Sequence, residues 1–537
     1  MALNIEWRHR IEQWRKALRR LIYRPLGAID LSGFTTIEQL SPEAAKEGPF
    51  QPMPPGTKWG AKWEYAWMKG TVSLPEEAVG RRIDVRLRPG GEMLVFLNDR
   101  AIGGGDLTLT LSGRAGEVFK ILVETYAGHG PAVVTAGPVP PGKETVPEPP
   151  PTQQTVGEST FGITEEDVFQ LWMDVETLWS LRESLDEDML RVSEIDEGLR
   201  DVTRIVDPEL PEDEMLESVR AGRERLRPLL ECRNGSTSPL MYAFGHGHLD
   251  VGWLWPLAHT DRKAARTLAG QLALARQYPG YKFIHSQPEL FQRVKERYPE
   301  LYGRVKEAIA NGSVIAEGST WVEMDTNVTG GESLIRQFLY GKQFYREEFG
   351  VETELMWLPD VFGYSGAMPQ IMRGSEVKYF ATAKIFWTYN GGDPFPRNTF
   401  YWEGIDGSRV IVHLCDEYGS QMRPSDVIER WRQLRRKEGI NSRLMPFGWG
   451  DGGGGPTAIH LEFARREQDL EGCPRVKIAS PVDYFHDLEA GGAPDARYVG
   501  ELYFQAHRGT YTSQAWTKRL NRKSEVALRE AEMWATL

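Results

Sequence analysis

The sequence predicts a multidomain α and β protein in which an N-terminal β-sandwich precedes an α/β domain with a mostly parallel sheet. Three observations support this prediction. The 537 residues exceed the length of one ordinary domain. Residues 59–134 contain short runs rich in Val, Leu and aromatic residues, such as RRIDVRLRP, separated by Gly, Pro and Asp. From residue 241 onward, short apolar runs alternate with amphipathic helices, which is typical of βα units.

Composition excludes several classes of protein. The formal net charge of -12 and the absence of Lys/Arg blocks among aromatic residues argue against a nucleic-acid partner. No apolar run approaches the ~18 residues that span a bilayer. The three cysteines have no CxxC spacing, which argues against a disulfide framework or a thiolate zinc site. A reducing, cytoplasmic location fits best.

The first half of the chain is predicted from its patterns in order. An N-terminal helix carries an apolar stripe, and we expect it to dock on its own protein or a sister subunit rather than on a membrane. Proline spacing then marks a semi-rigid linker between the sandwich and long amphipathic helices. The predicted segments are a helix at 1–25, a β-sandwich at 26–136, a linker at 137–153 and a helical connector at 154–235.

The α/β domain is predicted over residues 236–505. Its candidate helices are 261–277, 288–310 and 332–349. Seven strands fit a barrel or a large open sheet, and we take a seven-stranded, barrel-like sheet as the prediction. In either architecture, functional residues gather just beyond the carboxyl ends of the strands. The candidate strands are LMYAFG, YKFIHS, SVIAEGS, ELMWLP, KYFATAK, RLMPFGW and RVKIAS.

The end of the first candidate strand carries a motif with metal-binding chemistry. In GHGHLDVGWLWP, an extended chain with a period of two puts His246, His248 and Asp250 on one side. Imidazole and carboxylate groups bind zinc and similar divalent ions, provided that three or four converge. Histidines that only cap backbone groups at a strand end are the structural alternative. The complete HxHxD pattern, followed by two tryptophans, favours a metal.

Polar residues also follow later strands. Asp360 in WLPDVFGYSGAMPQ is a plausible further ligand, although an acid there is commonly a cap or turn residue. Asp451 precedes four glycines in GWGDGGGGPT, which allow close approach of a ligand. The sequence gives little support for phosphate binding by this loop, because the motif GxxxxGK[ST] is absent. His507 lies in HRGTYTSQ, after another apolar run.

Four motifs in this order, GHGHLDVGWLWP, WLPDVFGYSGAMPQIM, GWGDGGGGPT and HRGTYTSQAWTKRLNRKSE, resemble glycoside hydrolase family 38. This family contains zinc-dependent retaining α-mannosidases, and the sequence is most similar to its cytosolic or vacuolar-type branch over roughly residues 50–537. The resemblance implies Zn²⁺, with Co²⁺ as a substitute, held by His248, Asp250, Asp360 and His507. It implies that Asp360 is also the nucleophile, Asp451 the acid/base, Trp253 and Phe362 walls of the sugar pocket, Lys384 a basic residue near the sugar, and His246 a non-ligand neighbour.

The resemblance implies hydrolysis of terminal α-mannosyl residues of oligosaccharides through a covalent glycosyl-enzyme. A metal-dependent amidohydrolase or polysaccharide deacetylase is the alternative enzyme, since such proteins also place HxH or HxD at strand ends. A truncated, inactive sugar-binding remnant is the non-enzyme alternative.

Family members usually continue further. Residues 506–537 are therefore expected to be the truncated start of a helical bundle, in a chain that is poorly active alone. A homo-oligomer or a separate chain with C-terminal β-domains is the expected protein partner.

Overall fold

A computed structural model describes residues 3–130, 142, 147–387, 393–437, 439–492 and 494–537. The contacts divide the chain into two units. The first unit comprises Met1–Arg233, Val251–Gln277 and Arg293–Arg304. The second unit comprises Asn234–Asp250, Tyr278–Gln292 and Val305–Leu537. Val251–Gln277, which the sequence analysis assigned to the α/β domain, thus has its contacts in the first unit.

The first unit contains a β-sandwich, as predicted. Its named strand pairs are antiparallel and form a four-stranded sheet, a six-stranded sheet and a two-stranded pair. Side chains from the two larger sheets, among them Val72, Ile83, Val85 and Val123, bury a common apolar core. The strands are β1 (Tyr23–Ala28), β2 (Ser32–Thr36), β3 (Gln51–Pro52), β4 (Lys58–Trp59), β5 (Tyr65–Ser73), β6 (Ile83–Arg86), β7 (Glu92–Leu97), β8 (Arg100–Gly103), β9 (Asp106–Thr110), β10 (Val118–Tyr126), β11 (Gln154–Thr155) and β12 (Thr160–Thr164).

The predicted helical connector does not begin with a helix. Gln154–Thr155 pairs with β4, and Thr160–Thr164 fills the position between β1 and β6 in the four-stranded sheet. Most of the β12 side chains are buried, so tertiary packing keeps this stretch extended until the next helix begins at Glu166. Most of the predicted proline-rich linker at 137–153 lies outside the described residues.

The N-terminal helix docks on its own unit, which confirms one of the two predicted alternatives. Ile11, Trp14 and Leu18 are buried, and the Trp14 Nε1 donates to the Val206 carbonyl oxygen at 3.1 Å. Asn4 caps the helix by accepting from the amide of the third helical residue. The helices of this half are α1 (Ile5–Arg20), α2 (Pro42–Lys46), α3 (Glu166–Arg182), α4 (Leu190–Ile205), α5 (Glu212–Glu231) and α6 (Leu257–Gln277).

The second unit is built on strands that pair mostly in parallel. All seven strands predicted from the sequence are present, and three more, β18 (Thr399–Glu403), β19 (Arg409–Leu414) and β22 (Arg497–Val499), were not predicted. Only β18 and β19 pair antiparallel among the described strands of this unit. The strands are β13 (Leu240–Gly245), β14 (Phe283–His285), β15 (Val314–Ala316), β16 (Leu355–Trp357), β17 (Tyr379–Thr382), β18 (Thr399–Glu403), β19 (Arg409–Leu414), β20 (Ser442–Phe447), β21 (Arg475–Ile478) and β22 (Arg497–Val499).

These strands form two five-stranded sheets. The first has the order β15-β14-β13-β20, with β21 also paired to β13, and the second has the order β16-β17-β19-β18-β22. An isolated parallel bridge between Gly318 and Met356 connects the end of β15 to β16. Closure of these strands into one seven-stranded barrel stays a prediction.

Eight further helices complete the described chain. The helix predicted at 288–310 is two helices, because Pro299 has no amide hydrogen to continue the backbone ladder. In the part of the chain that the structure describes, we find no helix that combines the length and the apolar character of a membrane span. The helices are α7 (Pro288–Arg297), α8 (Pro299–Ala310), α9 (Gly331–Phe349), α10 (Met368–Gly374), α11 (Pro424–Gln433), α12 (Ala458–Arg466), α13 (Pro481–Ala490) and α14 (Ala515–Thr536).

Candidate metal and catalytic site

The candidate site of the second unit forms where its strands end. Strand β13 is followed by His248, β16 by Asp360 and β20 by Asp451. Because β13 and β20 pair in parallel up to Gly245 and Phe447, the residues after both strands leave the same edge of the sheet. The ligand-type atoms of His248, Asp360 and Asp451 lie within 4.8 Å of one another. The strand-end rule thus located three residues that converge.

His248 lies at the centre of this cluster. Its Nε2 atom is 3.5 Å from an Asp250 carboxylate oxygen and 3.6 Å from Oδ2 of Asp360. Its Nδ1 atom, on the other side of the ring, is 3.1 Å from Oε2 of Glu323. The side chain is only 3% exposed, yet among the described residues neither ring nitrogen has an aligned hydrogen-bond partner. A buried imidazole that faces two carboxylates fits a divalent metal ion.

Electrostatics around His248 also fit a cation. Burial alone would lower the pKa of His248, but the carboxylates of Glu323 and Asp250 outweigh it and raise this pKa well above its usual value. Burial raises the pKa of Glu323, against the opposing effect of His248. The cluster therefore stabilises positive charge at the imidazole, and a metal ion at Nε2 could replace the proton.

Asp360 is paired with a buried lysine. The Lys384 ammonium lies 2.5 Å from Oδ1 of Asp360, while Oδ2 of the same carboxylate faces His248. Lys384 also lies 3.5 Å from the centre of the Trp387 ring, in a cation–π contact. The resemblance placed Lys384 near the sugar, and in the structure its direct contact is the candidate nucleophile. This lysine balances the charge of Asp360 and holds one of its oxygens.

Asp451 is held by a tyrosine that the sequence analysis missed. The Tyr418 hydroxyl donates to Oδ1 of Asp451 at 2.8 Å. Burial, followed by the charges of Asp360 and Asp451, raises the pKa of Tyr418 well above its usual value, so the hydroxyl keeps its proton. Asp451 itself is exposed and has a φ of 55°, in the left-handed region. Its geometry suits either a metal ligand or an acid/base placed about 5 Å from a nucleophile.

His246 is committed to protein contacts. Its Nε2 accepts from Trp357 Nε1 at 3.2 Å, so Nδ1 carries the hydrogen and donates to the Tyr418 carbonyl oxygen at 2.9 Å. Burial lowers the pKa of His246 to about 3, which keeps the ring neutral. His246 therefore supports the backbone of Tyr418 and leaves no nitrogen for a metal.

The remaining predicted residues do not belong to the close cluster. His507 is exposed, and its ring centroid lies 4.9 Å from that of Phe362. Trp253 is 61% exposed, has its contacts in the first unit and packs edge-on against Trp255. Their predicted roles as a fourth ligand and as sugar-pocket walls stay predictions.

Glu323 and Tyr418 show what the sequence patterns did not reveal. Tyr418 follows β19, so the strand-end rule could have found it had RVIVHL been recognised as a strand. Glu323 lies in an irregular segment after β15 that carries no recognised motif.

Comparison with known proteins gives consistent matches. Family models match as "Alpha-mannosidase, jelly roll domain" over residues 26–128, "Glycosyl hydrolases family 38 N-terminal domain" over residues 239–506 and "Alpha mannosidase middle domain" over residues 505–537.

Two curated relatives illustrate the similarity. Alpha-mannosidase 2C1 of Homo sapiens is 35% identical over 522 residues, covering 94% of this chain and 49% of the relative. Alpha-mannosidase of Saccharomyces cerevisiae is 41% identical over 304 residues, covering 54% of this chain and 28% of the relative. The chain thus spans at most about half the length of these two relatives. With three matching models over most of its length, the chain belongs to glycosyl hydrolase family 38.

Proposed function

We propose that this chain carries the catalytic region of a retaining α-mannosidase that hydrolyses terminal α-mannosyl residues of oligosaccharides. Family membership supports the class of reaction. The observation that carries the proposal is the convergence of Asp360, Asp451 and the buried His248 within 4.8 Å at the strand ends. A retaining glycosidase needs two carboxyl groups about 5–5.5 Å apart, and oxygen atoms of Asp360 and Asp451 that lie within 4.8 Å of each other are compatible with that spacing.

The two carboxyl groups would divide the chemistry between them. Asp360 attacks the anomeric carbon while Asp451 donates a proton to the departing glycosidic oxygen, so the glycosidic C–O bond breaks as an ester to Asp360 forms. Asp451, now ionised, takes a proton from the water that hydrolyses this ester. The ion pair with Lys384 holds Asp360 in place, and the Tyr418 hydroxyl orients Asp451.

His248, Asp250 and Asp360 would hold a divalent metal ion, with His507 as the fourth ligand that the resemblance implies. Zinc, with cobalt as a substitute, fits this mixture of imidazole and carboxylate better than calcium does. When bound, the ion supplies a Lewis acid for neighbouring sugar hydroxyls. The side chain of Phe362 would form an apolar wall for the sugar ring.

A mannose-containing oligosaccharide is therefore the proposed partner. The cytoplasm is the proposed location, in keeping with three free cysteines. Assembly into a homo-oligomer, or with a separate chain carrying C-terminal β-domains, stays a prediction.

Covalent trapping tests the proposal directly. A mannosyl fluoride that carries a second fluorine at C2 should form an ester with the nucleophile that is hydrolysed only slowly. Mass spectrometry of peptides should then find the added sugar on Asp360. Asp360→Ala should remove the adduct. Asp406→Ala, a change at an exposed aspartate, should leave it unchanged.

Other outcomes would point to the alternatives. Deacetylation of N-acetylated sugars by a protein that forms no adduct would favour the amidohydrolase or deacetylase. Sugar binding without an adduct or turnover would favour the inactive remnant.

A further inference from the structure

We propose that Glu323 is a positioning residue for His248, pairing with its Nδ1–H so that Nε2 is presented to a metal ion beside Asp250 and Asp360. This inference rests on the proposed function, because Glu323 would position a ligand of the same metal site. Neither the sequence motifs nor the family resemblance pointed to Glu323.

The geometry of the His248 ring carries this inference. The two carboxylates that could share a metal ion, Asp250 and Asp360, both face Nε2, at 3.5 and 3.6 Å. Among the described residues, Glu323 is the carboxylate that faces Nδ1, at 3.1 Å. Because the two nitrogens point in different directions from the ring, Glu323 lies outside the ligand set and on its supporting side. A carboxylate on the second nitrogen of a metal-bound histidine fixes its tautomer and increases its basicity.

Glu323 is itself fixed by the end of strand β14. Its amide donates to Oε1 of Gln287 at 3.1 Å, and the Gln287 amide group reaches Oε1 of Glu323 at 3.5 Å. The same Gln287 nitrogen donates to the carbonyl oxygen of Leu249 at 2.9 Å, next to His248 in the chain. Ser286 Oγ lies 3.4 Å from Oε1 of Glu323. These contacts tie the carboxylate to the backbone of the HxHxD motif and leave Oε2 directed at the ring.

Burial protects the contact between Glu323 and His248 from competing water. The exposed fractions of the side chains are 8% for Glu323 and 3% for His248, so water competes little for either group. The two atoms approach as an ion pair without the alignment of a regular hydrogen bond. Catalytic and metal-site contacts often align only when the site is loaded. Metal at Nε2 leaves the hydrogen on Nδ1, where the Glu323 carboxylate is its nearest acceptor among the described residues.

Zinc affinity of the whole chain tests the inference. Competition with a chromophoric chelator at pH 7 gives the zinc Kd, and the visible absorption of the Co²⁺-loaded protein reports ligand geometry. Glu323→Ala should weaken zinc binding about 10- to 100-fold and alter the Co²⁺ spectrum. Glu323→Gln keeps a neutral acceptor, so its Kd should lie between those of the wild type and Glu323→Ala.

Glu317→Ala is the matched control. Glu317 is another buried glutamate of this unit, and its carboxylate accepts from the backbone amides of Gly318 and Leu355. This variant should leave the zinc Kd and the Co²⁺ spectrum of the folded protein unchanged. Equal weakening in both alanine variants would mean a merely structural role and would overturn the inference.

The outcomes separate the inference from the proposed function. Wild-type zinc affinity in Glu323→Ala, together with loss of zinc in Asp360→Ala, overturns only the role of Glu323. No zinc binding by the wild type overturns the metal site itself. If Glu323→Ala does not fold, Glu323→Gln decides, and an unchanged zinc Kd in that variant overturns the inference.

Discussion

Replacing Tyr418 by phenylalanine removes one oxygen atom from the candidate site and tests the role of Asp451. The Tyr418 ring is buried, and it packs near the rings of His246, His248 and Trp387. These contacts remain in Tyr418→Phe. The change therefore removes the 2.8 Å hydrogen bond to Asp451, together with the interaction of the same hydroxyl with Asp360, and leaves the surrounding shape in place.

The size of the effect on leaving-group protonation follows from the hydrogen bond to Asp451. A hydrogen bond to a charged group contributes about 1.5–3 kcal/mol. Asp451 is exposed, so water can replace part of the lost contact, and the lower end of this range applies. Because ~1.4 kcal/mol corresponds to a tenfold rate change, we expect a decrease of about tenfold in kcat/KM where Asp451 must protonate the leaving group.

Two substrates make the assay specific. Turnover of a methyl α-mannoside, which needs protonation of a poor leaving group, should fall about tenfold in Tyr418→Phe. Turnover of a dinitrophenyl α-mannoside, which needs little protonation, should change much less. Tyr379→Phe is the control, because Tyr379 is also a buried residue and its partly buried hydroxyl contacts Glu489 instead. Equal decreases for both substrates, with loss of metal, would refute the acid/base role and identify Asp451 as a metal ligand.

Three further predictions concern the ion pair, the N-terminal helix and a buried acid. Lys384→Met leaves Asp360 without its buried partner and should lower the free energy of unfolding in urea by about 3 kcal/mol, at the low end of the range for buried pairs because Asp360 is partly exposed, with Lys384→Arg less destabilised. Trp14→Ala should lower the free energy of unfolding in urea by about 3–5 kcal/mol, against less than about 0.5 kcal/mol for the exposed Ile5→Ala. Burial raises the pKa of Glu317 to about 8 from 4.5. The free energy of unfolding of the wild type, relative to that of Glu317→Gln, should therefore fall as the pH rises from 4.5 to 8. Urea unfolding across this pH range measures the difference, and the same pH dependence in both proteins would refute the prediction.

Local patterns located much of the candidate site. The HxHxD motif supplied His248 and Asp250, whose carboxylate lies 3.5 Å from Nε2 of His248, but the predicted period of two is not kept, because strand β13 ends at Gly245 and His246 contacts Trp357 instead. The strand-end rule found Asp360 and Asp451 without knowledge of sheet order. His507, predicted as a ligand only from the family resemblance, lies beside Phe362 and outside the close cluster. A motif match can assign a role to His507, but the direction of its side chain depends on how the loop that carries it packs, and a motif does not contain those contacts.

The sequence by itself determined the class of fold, the seven predicted strands of the second unit and the chemical character of the site, because apolar periodicity and strand ends are local properties. The tertiary structure decided the partners. It set Lys384 against Asp360, Tyr418 against Asp451 and Glu323 against His248. These pairs join residues far apart in the chain, and which atom faces which depends on packing between elements, which no local pattern encodes.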